Sequence, residues 1–283
     1  MLFRLRMTVD EAITAYARLS EDVFSNKPVW SNMKTNASRL ENAIAKLVNS
    51  SLNVHERQAR TMRMLDDKGP KWRVVQIKFA TSIDIFYSFV SASSAKNLSS
   101  PTLFRTYESH RHASYNCTIV EAVRATTAED PFFPSIDIGD ANLKKTFIHG
   151  GLRLNSPVKA VLQEAELIFP DQRISCLLSI GSGAQGIIGF NATSTLALTK
   201  VLRQDMNDGE CISEEVAKEL SNRKVFYCRL NVEHGLEGIG FEDFERLGDV
   251  RTHTQKYLEK HDVEMKASEL VQVLNRRTGA LQF

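Results

Sequence analysis

The sequence predicts an α/β fold, and three observations carry that prediction. Segments of β type alternate along the chain with segments of helical periodicity. "RISCLLSI" (Arg173–Ile180) has the near-continuous apolar character expected of a strand buried on both faces of a parallel sheet. "VFYCRLNV" (Val225–Val232) alternates cleanly, with Phe226, Cys228, Leu230 and Val232 on one face of a half-buried strand.

The elements follow in order. Thr8 and Glu11 form a T-x-x-E capping box that opens a helix, and Val9, Ile13, Tyr16 and Ala17 recur on one of its faces. A second helix is expected over Ser38–Val48, with Leu40, Ala43, Ile44, Leu47 and Val48 as its apolar stripe. Between Asn49 and Arg73 the pattern is irregular and rich in Arg and Met. "WRVVQIKFA" and "IFYSFVSA" read as strands, and the Ser/Asn/Pro-rich "SSAKNLSSP" after them as a surface loop. "TIVEAVRATTA" is helical and is stopped by Pro131 and Pro134. "KTFI" is a short strand running into a glycine pair. Pro157 suits the first turn of a helix that carries Val158, Val161, Leu162 and Ala165 inward. Two helices close the chain, one through Val250, Thr254, Tyr257 and Leu258, the other through Ala267, Leu270, Val271 and Leu274.

Composition narrows the function classes. With 42% hydrophobic and 25% charged residues among 283, the chain reads as an ordinary soluble globular protein. The formal charge is +2, but residues 205–283 carry 11 Lys/Arg against 16 Asp/Glu, which leaves a mildly basic body. No dense Lys/Arg run with interleaved aromatics is present, so no nucleic-acid partner is expected. Cys117, Cys176, Cys211 and Cys228 are widely spaced, which indicates neither a zinc site nor a disulfide framework but reduced thiols. No segment approaches the length of a membrane span or a signal peptide, and a cytoplasmic location follows as the expectation.

Three motifs bear on chemistry. "GSGAQG" (Gly181–Gly186) satisfies G-x-G-x-x-G after a strand, but "IIGFNATSTLAL" does not open as a clear helix, so it is read as a glycine-rich strand end and no cofactor is expected. His110 and His112 are two residues apart in a polar stretch with no third ligand nearby, which favours solvated histidines over a metal site. No D-x-D-x-D-G calcium loop is present. His149-Gly150-Gly151 resembles the H-G-G oxyanion loop of esterases, yet the G-x-S-x-G elbow that such a loop requires is absent, and neither Ser182 nor Ser194 lies in that glycine frame.

Several stretches together resemble the patatin-like phospholipase family in its fungal form. They are "FRLRMTVDEAITAY", "LFRTY" (Leu103–Tyr107), "VEAVRATTAEDPFF" (Val120–Phe133), "HGGLRLNSP" (His149–Pro157) with Glu164 and Ala165 after it, "SIGSG", and "LNVEHGLEGI" followed by His253–Leu258. The resemblance implies a three-layer α/β/α sandwich, with residues 1–204 as a partial catalytic domain and 205–283 as a C-terminal strand and helices packed on it. It also implies an acyl-ester hydrolase acting on phospholipid or another lipid ester at a membrane surface. In that family a Ser-Asp dyad does the chemistry: a serine hydroxyl attacks the ester carbonyl as the aspartate of D-G-G takes its proton. The resemblance places the oxyanion loop and the serine elbow upstream of Met1, and His149 at the position of the aspartate, with Gly150 and Gly151 supplying the turn. An inactive family member is the expectation, with a catalytically dead lipid-binding or interaction module as the alternative. Residues 69–84 have no counterpart in the family pattern.

Overall fold

The computed structural model describes residues 5, 7–25, 32–52, 87–109, 115, 117–140, 142–152, 156–184 and 209–277. Helices and strands mix along the chain, with seven α-helices among the described residues. The strand expected in "WRVVQIKFA", the 69–84 stretch, the pair His110 and His112, Gln185 and Gly186 of "GSGAQG" and the boundary at 204/205 all lie outside the described residues. The chain divides into two compact units: Met1–Trp72 with Asp84–Leu154 and Phe241–Glu245, and Arg73–Ile83 with Asn155–Gly240 and Arg246–Phe283.

The first unit begins with helix α1 (Val9–Phe24). The Thr8 hydroxyl accepts from the Glu11 amide while the Glu11 carboxylate accepts from the Thr8 amide, so the capping box forms on both sides. The buried residues, however, are Ser20, Val23 and Phe24, while Val9 and Ile13 are 64% and 63% exposed. The helix packs through its last turns rather than along the expected stripe. Helix α2 (Met33–Leu52) is longer than expected and buries Leu40, Ala43, Ile44 and Val48 as its periodicity requires.

Strands β1 (Phe89–Ser94) and β2 (Asn97–Arg105) form a hairpin whose turn is Ala95–Lys96. The "SSAKNLSSP" stretch is therefore not a loop but mostly strand. Among the described residues β2 is an edge strand, where its polar residues are tolerated and Pro101 can lack an amide donor without breaking the ladder, while Ser93 and Ser94 belong to the inner strand β1. Helix α3 (Ile119–Thr126) starts with a second capping box, Thr118 with Glu121. Strands β3 (Ile136–Ile138) and β4 (Lys145–His149) complete an antiparallel sheet in the order β2-β1-β4-β3. Its core joins Phe104, Phe147, Ala92 and Ile138 with Ile119, Ala122 and Ala125 of α3 and with Leu40, Ile44 and Val48 of α2. Phe241 closes over Phe24, Phe132 and Phe133 with ring centroids 5.5–6.2 Å apart.

In the second unit, α4 (Val158–Ile168), β5 (Cys176–Ile180), α5 (Gly209–Asn222) and β6 (Phe226–Leu230) enclose one small core of Val158, Leu162, Leu177, Val216 and Leu220. Val161 stays outside it, 37% exposed. β5 and β6 pair in parallel, Cys176 opposite Phe226 through Ile180 opposite Leu230, as the apolar run implied. The burial expected on both faces of β5 is not found: Leu178 is 41% and Ile180 73% exposed. Among the described residues its ladder has a single partner strand, and the α4/α5 core covers the Leu177 side of it. Helices α6 (Leu247–Leu258) and α7 (His261–Arg277) enclose a third core of Val232, Tyr257 and Val263. Among the described residues no helix is long and apolar enough to cross a membrane.

Candidate functional site

His149 is the last residue of β4, and Gly150–Leu152 turn away from it in a single 3₁₀ turn. Its backbone amide donates to Ala128 O at 2.9 Å, which anchors the strand end to the segment leaving α3. Ala92 is its partner on β1, so Ser91 lies across from Gly150. That juxtaposition explains the first glycine. A Cβ at position 150 would sit 2.5 Å from Ser91 Oγ and 2.7 Å from Ser91 O, and the carbonyl belongs to a paired strand that cannot retreat. At Gly151 a Cβ would meet His149 Nδ1 at 3.0 Å, so the second glycine leaves room for the imidazole itself.

The imidazole is largely enclosed, 18% exposed, and its Nδ1 lies 4.0 Å from a carboxylate oxygen of Glu129. Glu129 is placed by the turn after α3. Its amide donates to Thr127 O at 2.8 Å, and its carbonyl accepts from the amides of Phe132 and Phe133. Arg124 pins the same turn from below. Its guanidinium donates to Glu41 at 3.2 Å and to Pro134 O at 3.1 Å, and it stacks over the Phe133 ring at 5.7 Å. Burial pulls this guanidinium below its usual range, and Glu41 offsets part of that loss. α2, α3 and the Pro131–Pro134 turn are thereby locked around the end of β4.

This arrangement sets a largely enclosed imidazole beside the Glu129 carboxylate at the end of β4. Among the described residues it does not assemble a nucleophile. Among the described residues no serine hydroxyl hydrogen-bonds His149, and its nearby charged partner is Glu129. The Ser93 hydroxyl is fully buried and without a hydrogen-bond partner among the described residues, so it is closed to substrate. No group of three His, Cys, Asp or Glu residues could hold a metal ion among the described residues.

The glycines of "GSGAQG" that the structure describes serve the chain's own packing. Gly181 leaves space for Asn231, whose Oδ1 would lie 2.2 Å from an added Cβ, and the Gly183 amide donates to the same oxygen at 2.8 Å. The Asn231 amide group donates in turn to Glu210 at 2.7 Å, and Glu210 pairs with Arg229 at 2.8 Å. Glu210, Arg229 and Asn231 border a cavity of about 470 Å³, where Glu210 and Arg229 already answer each other's charge.

His149, Gly150 and Gly151 thus stand together at a strand end, as expected from their order in the chain. Glu129 and Arg124 were not singled out from the sequence. The signal available was the T-x-x-E box at Thr118 and Glu121, which sets where α3 begins and therefore which residues leave its far end.

No family model matches the chain. It is similar along its whole length to calcium-independent phospholipase A2-gamma from Rattus norvegicus, 26% identical over 299 residues that span 35% of that protein. The protein of that name from Homo sapiens is 24% identical over 299 residues, again all of this chain and 34% of that protein. The one from Mus musculus is 27% identical over 190 residues, 64% of this chain and 24% of that protein. The chain spans about a third of the length of the rat and human relatives, and at these identities it is their distant homologue.

Proposed function

We propose that this chain belongs to the patatin-like lipid acyl-ester hydrolases, in their fungal form, and contributes to the α/β/α sandwich of that family. Residues 205–283 belong in this reading to the same domain as residues 1–204. The similarity to a phospholipase along the entire chain supports the family, and the ester substrate is then a phospholipid or a related lipid met at a membrane surface on the cytoplasmic side. His149 takes the position of the dyad aspartate, at the end of a strand and followed by the glycine pair that aims it.

The polypeptide by itself does not turn over esters. One observation carries that statement: the imidazole of His149 faces the carboxylate of Glu129 and no serine hydroxyl among the described residues. A base raises the nucleophilicity only of a hydroxyl within hydrogen-bond reach. A hydrolase built on this pocket needs an elbow serine that these 283 residues do not contain in a G-x-S-x-G frame. The second reading is a lipid-binding or interaction module without turnover.

The test is an assay of purified protein on p-nitrophenyl butyrate and on phosphatidylcholine, with His149→Asp and His149→Ala beside the parent chain. All three are expected at background. Turnover by the parent chain that His149→Ala abolishes would refute the inactive reading. Turnover gained in His149→Asp would reveal a nucleophile within the chain.

A further inference from the structure

The opposite end of the same sheet carries a second constellation. β1 ends at Ser94 and β4 begins at Lys145, and the Ala95 amide donates to Thr146 O at 2.9 Å, so the β1–β2 turn and the β3–β4 loop reach the same end of the sheet. Lys96 projects from the first, Lys144 and Lys145 from the second. With Tyr115, Thr102 and Ser94 they line a concavity of about 370 Å³.

Lys145 Nζ lies 2.6 Å from the Tyr115 hydroxyl and 5.3 Å from the centre of its ring, which fixes the ammonium at the rim. None of the three ammonium groups is paired with a carboxylate among the described residues. Asp137, on the neighbouring β3, has its carboxylate engaged by the Thr146 hydroxyl at 2.7 Å. Three unpaired cations around hydroxyl donors form a site for a phosphate group.

Two leucines decide what carries that phosphate. Leu143, in the β3–β4 loop, is 77% exposed, and Leu98, on β2 just past the first turn, is 43% exposed. A free phosphate gains nothing from apolar side chains beside it. A phospholipid surface does, because it offers headgroup anions at one depth and acyl chains just below. We infer that the two hairpin tips holding Lys96, Lys144, Lys145, Leu98 and Leu143 form a docking surface for an anionic phospholipid bilayer. The lysines meet headgroup phosphates while Leu143 enters the interface. The inference stands on charge and exposure at this end of the sheet, so it neither needs nor supports turnover at His149.

The experiment is co-sedimentation of the full chain with vesicles of phosphatidylcholine alone and of phosphatidylcholine mixed with phosphatidylglycerol. The expected result is binding to the mixed vesicles only, reduced by raised salt. Lys144→Gln with Lys145→Gln should weaken it roughly 30-fold, at about one membrane-proximal charge each. Leu143→Ser should weaken it several-fold, and its site is too exposed to endanger folding. Lys159→Gln, a charge removed from the other unit, should leave it unchanged. Equal binding to both vesicle types, or binding indifferent to the lysine and leucine changes, would overturn the inference. So would inorganic phosphate perturbing the Lys145 and Tyr115 resonances in a chain that binds no vesicle. Ester hydrolysis plays no part in any of these readings, so failure here leaves the family proposal standing.

Discussion

β4 and β5 both run into glycine pairs, and the two ends are built on opposite principles. After β4, Gly150 is pressed against the backbone of β1, and the residue before it, His149, keeps an imidazole whose charged neighbour among the described residues is Glu129. After β5, Gly181 and Gly183 close around a side chain, Asn231, which answers the freed amide with a hydrogen bond. In the first case a glycine makes room for something that cannot move. In the second it makes room for something that can rotate. The first leaves an imidazole 4.0 Å from a carboxylate, the second a network satisfied through Glu210 and Arg229. A glycine motif therefore points to a ligand only when the space it opens is not refilled by the protein.

The largest effect that separates the two ends is expected from Gly150→Ala. The added methyl meets Ser91 O at 2.7 Å, and relief requires parting β1 from β4, for a loss of about 3 kcal/mol in chemical denaturation. A loss below about 1 kcal/mol would mean that the strand end yields as easily as a side chain.

Gly181→Ala should cost less, about 1.5 kcal/mol, because Asn231 can swing aside and forfeit its hydrogen bond to Gly183. A double-mutant cycle sharpens this. With Asn231→Ala already in place, Gly181→Ala should cost a fraction of its value in the parent chain, whereas additive losses would show that the side chain is not the obstacle.

The smallest effect is a titration in the segment that follows β6. Glu233 is held below the ordinary carboxylate value of 4.5, chiefly by its hydrogen bond from Lys260. Glu237 is lowered too, first by its own backbone amide and then by that of Gly235, which donates to it at 2.6 Å. For depressed carboxylates the stabilisation is fully present above the unfolded value and is lost as pH falls through the folded one. The Gly235 amide resonance should therefore titrate with a midpoint below 4.5. A midpoint at or above that value would remove Glu237 as its acceptor.

Much of the local structure was legible before any tertiary contact was known. The Thr8–Glu11 box, the stripe of α2, the short strand into His149 and the parallel pairing implied by "RISCLLSI" are all present. Legibility failed where the question was which surface becomes covered. Val9, Ile13 and Tyr16 repeat at helical spacing, yet α1 buries Val23 and Phe24 instead, because Phe24 meets Phe132, Phe133 and Phe241 from distant parts of the chain. The polar "SSAKNLSSP" reads as a loop because its second half lies on β2, at a sheet edge among the described residues, where apolar residues are not required.

The site divides in the same way. His149 and its two glycines could be read in the chain because a strand, a side chain and a turn are consecutive. Glu129 could not, since its approach to the imidazole depends on Arg124 reaching Glu41 across 83 residues of chain.

The sequence by itself determined the helices that cap themselves, the strands that alternate or run apolar, and the glycines that must turn. Those properties depend on residues within a few positions of one another, where steric and hydrogen-bonding rules act without reference to the rest of the fold. Only the tertiary structure decided which apolar faces are buried, which glycine faces backbone and which a side chain, and which carboxylate meets His149. Those outcomes rest on contacts between remote segments, and residue order alone does not encode their distances.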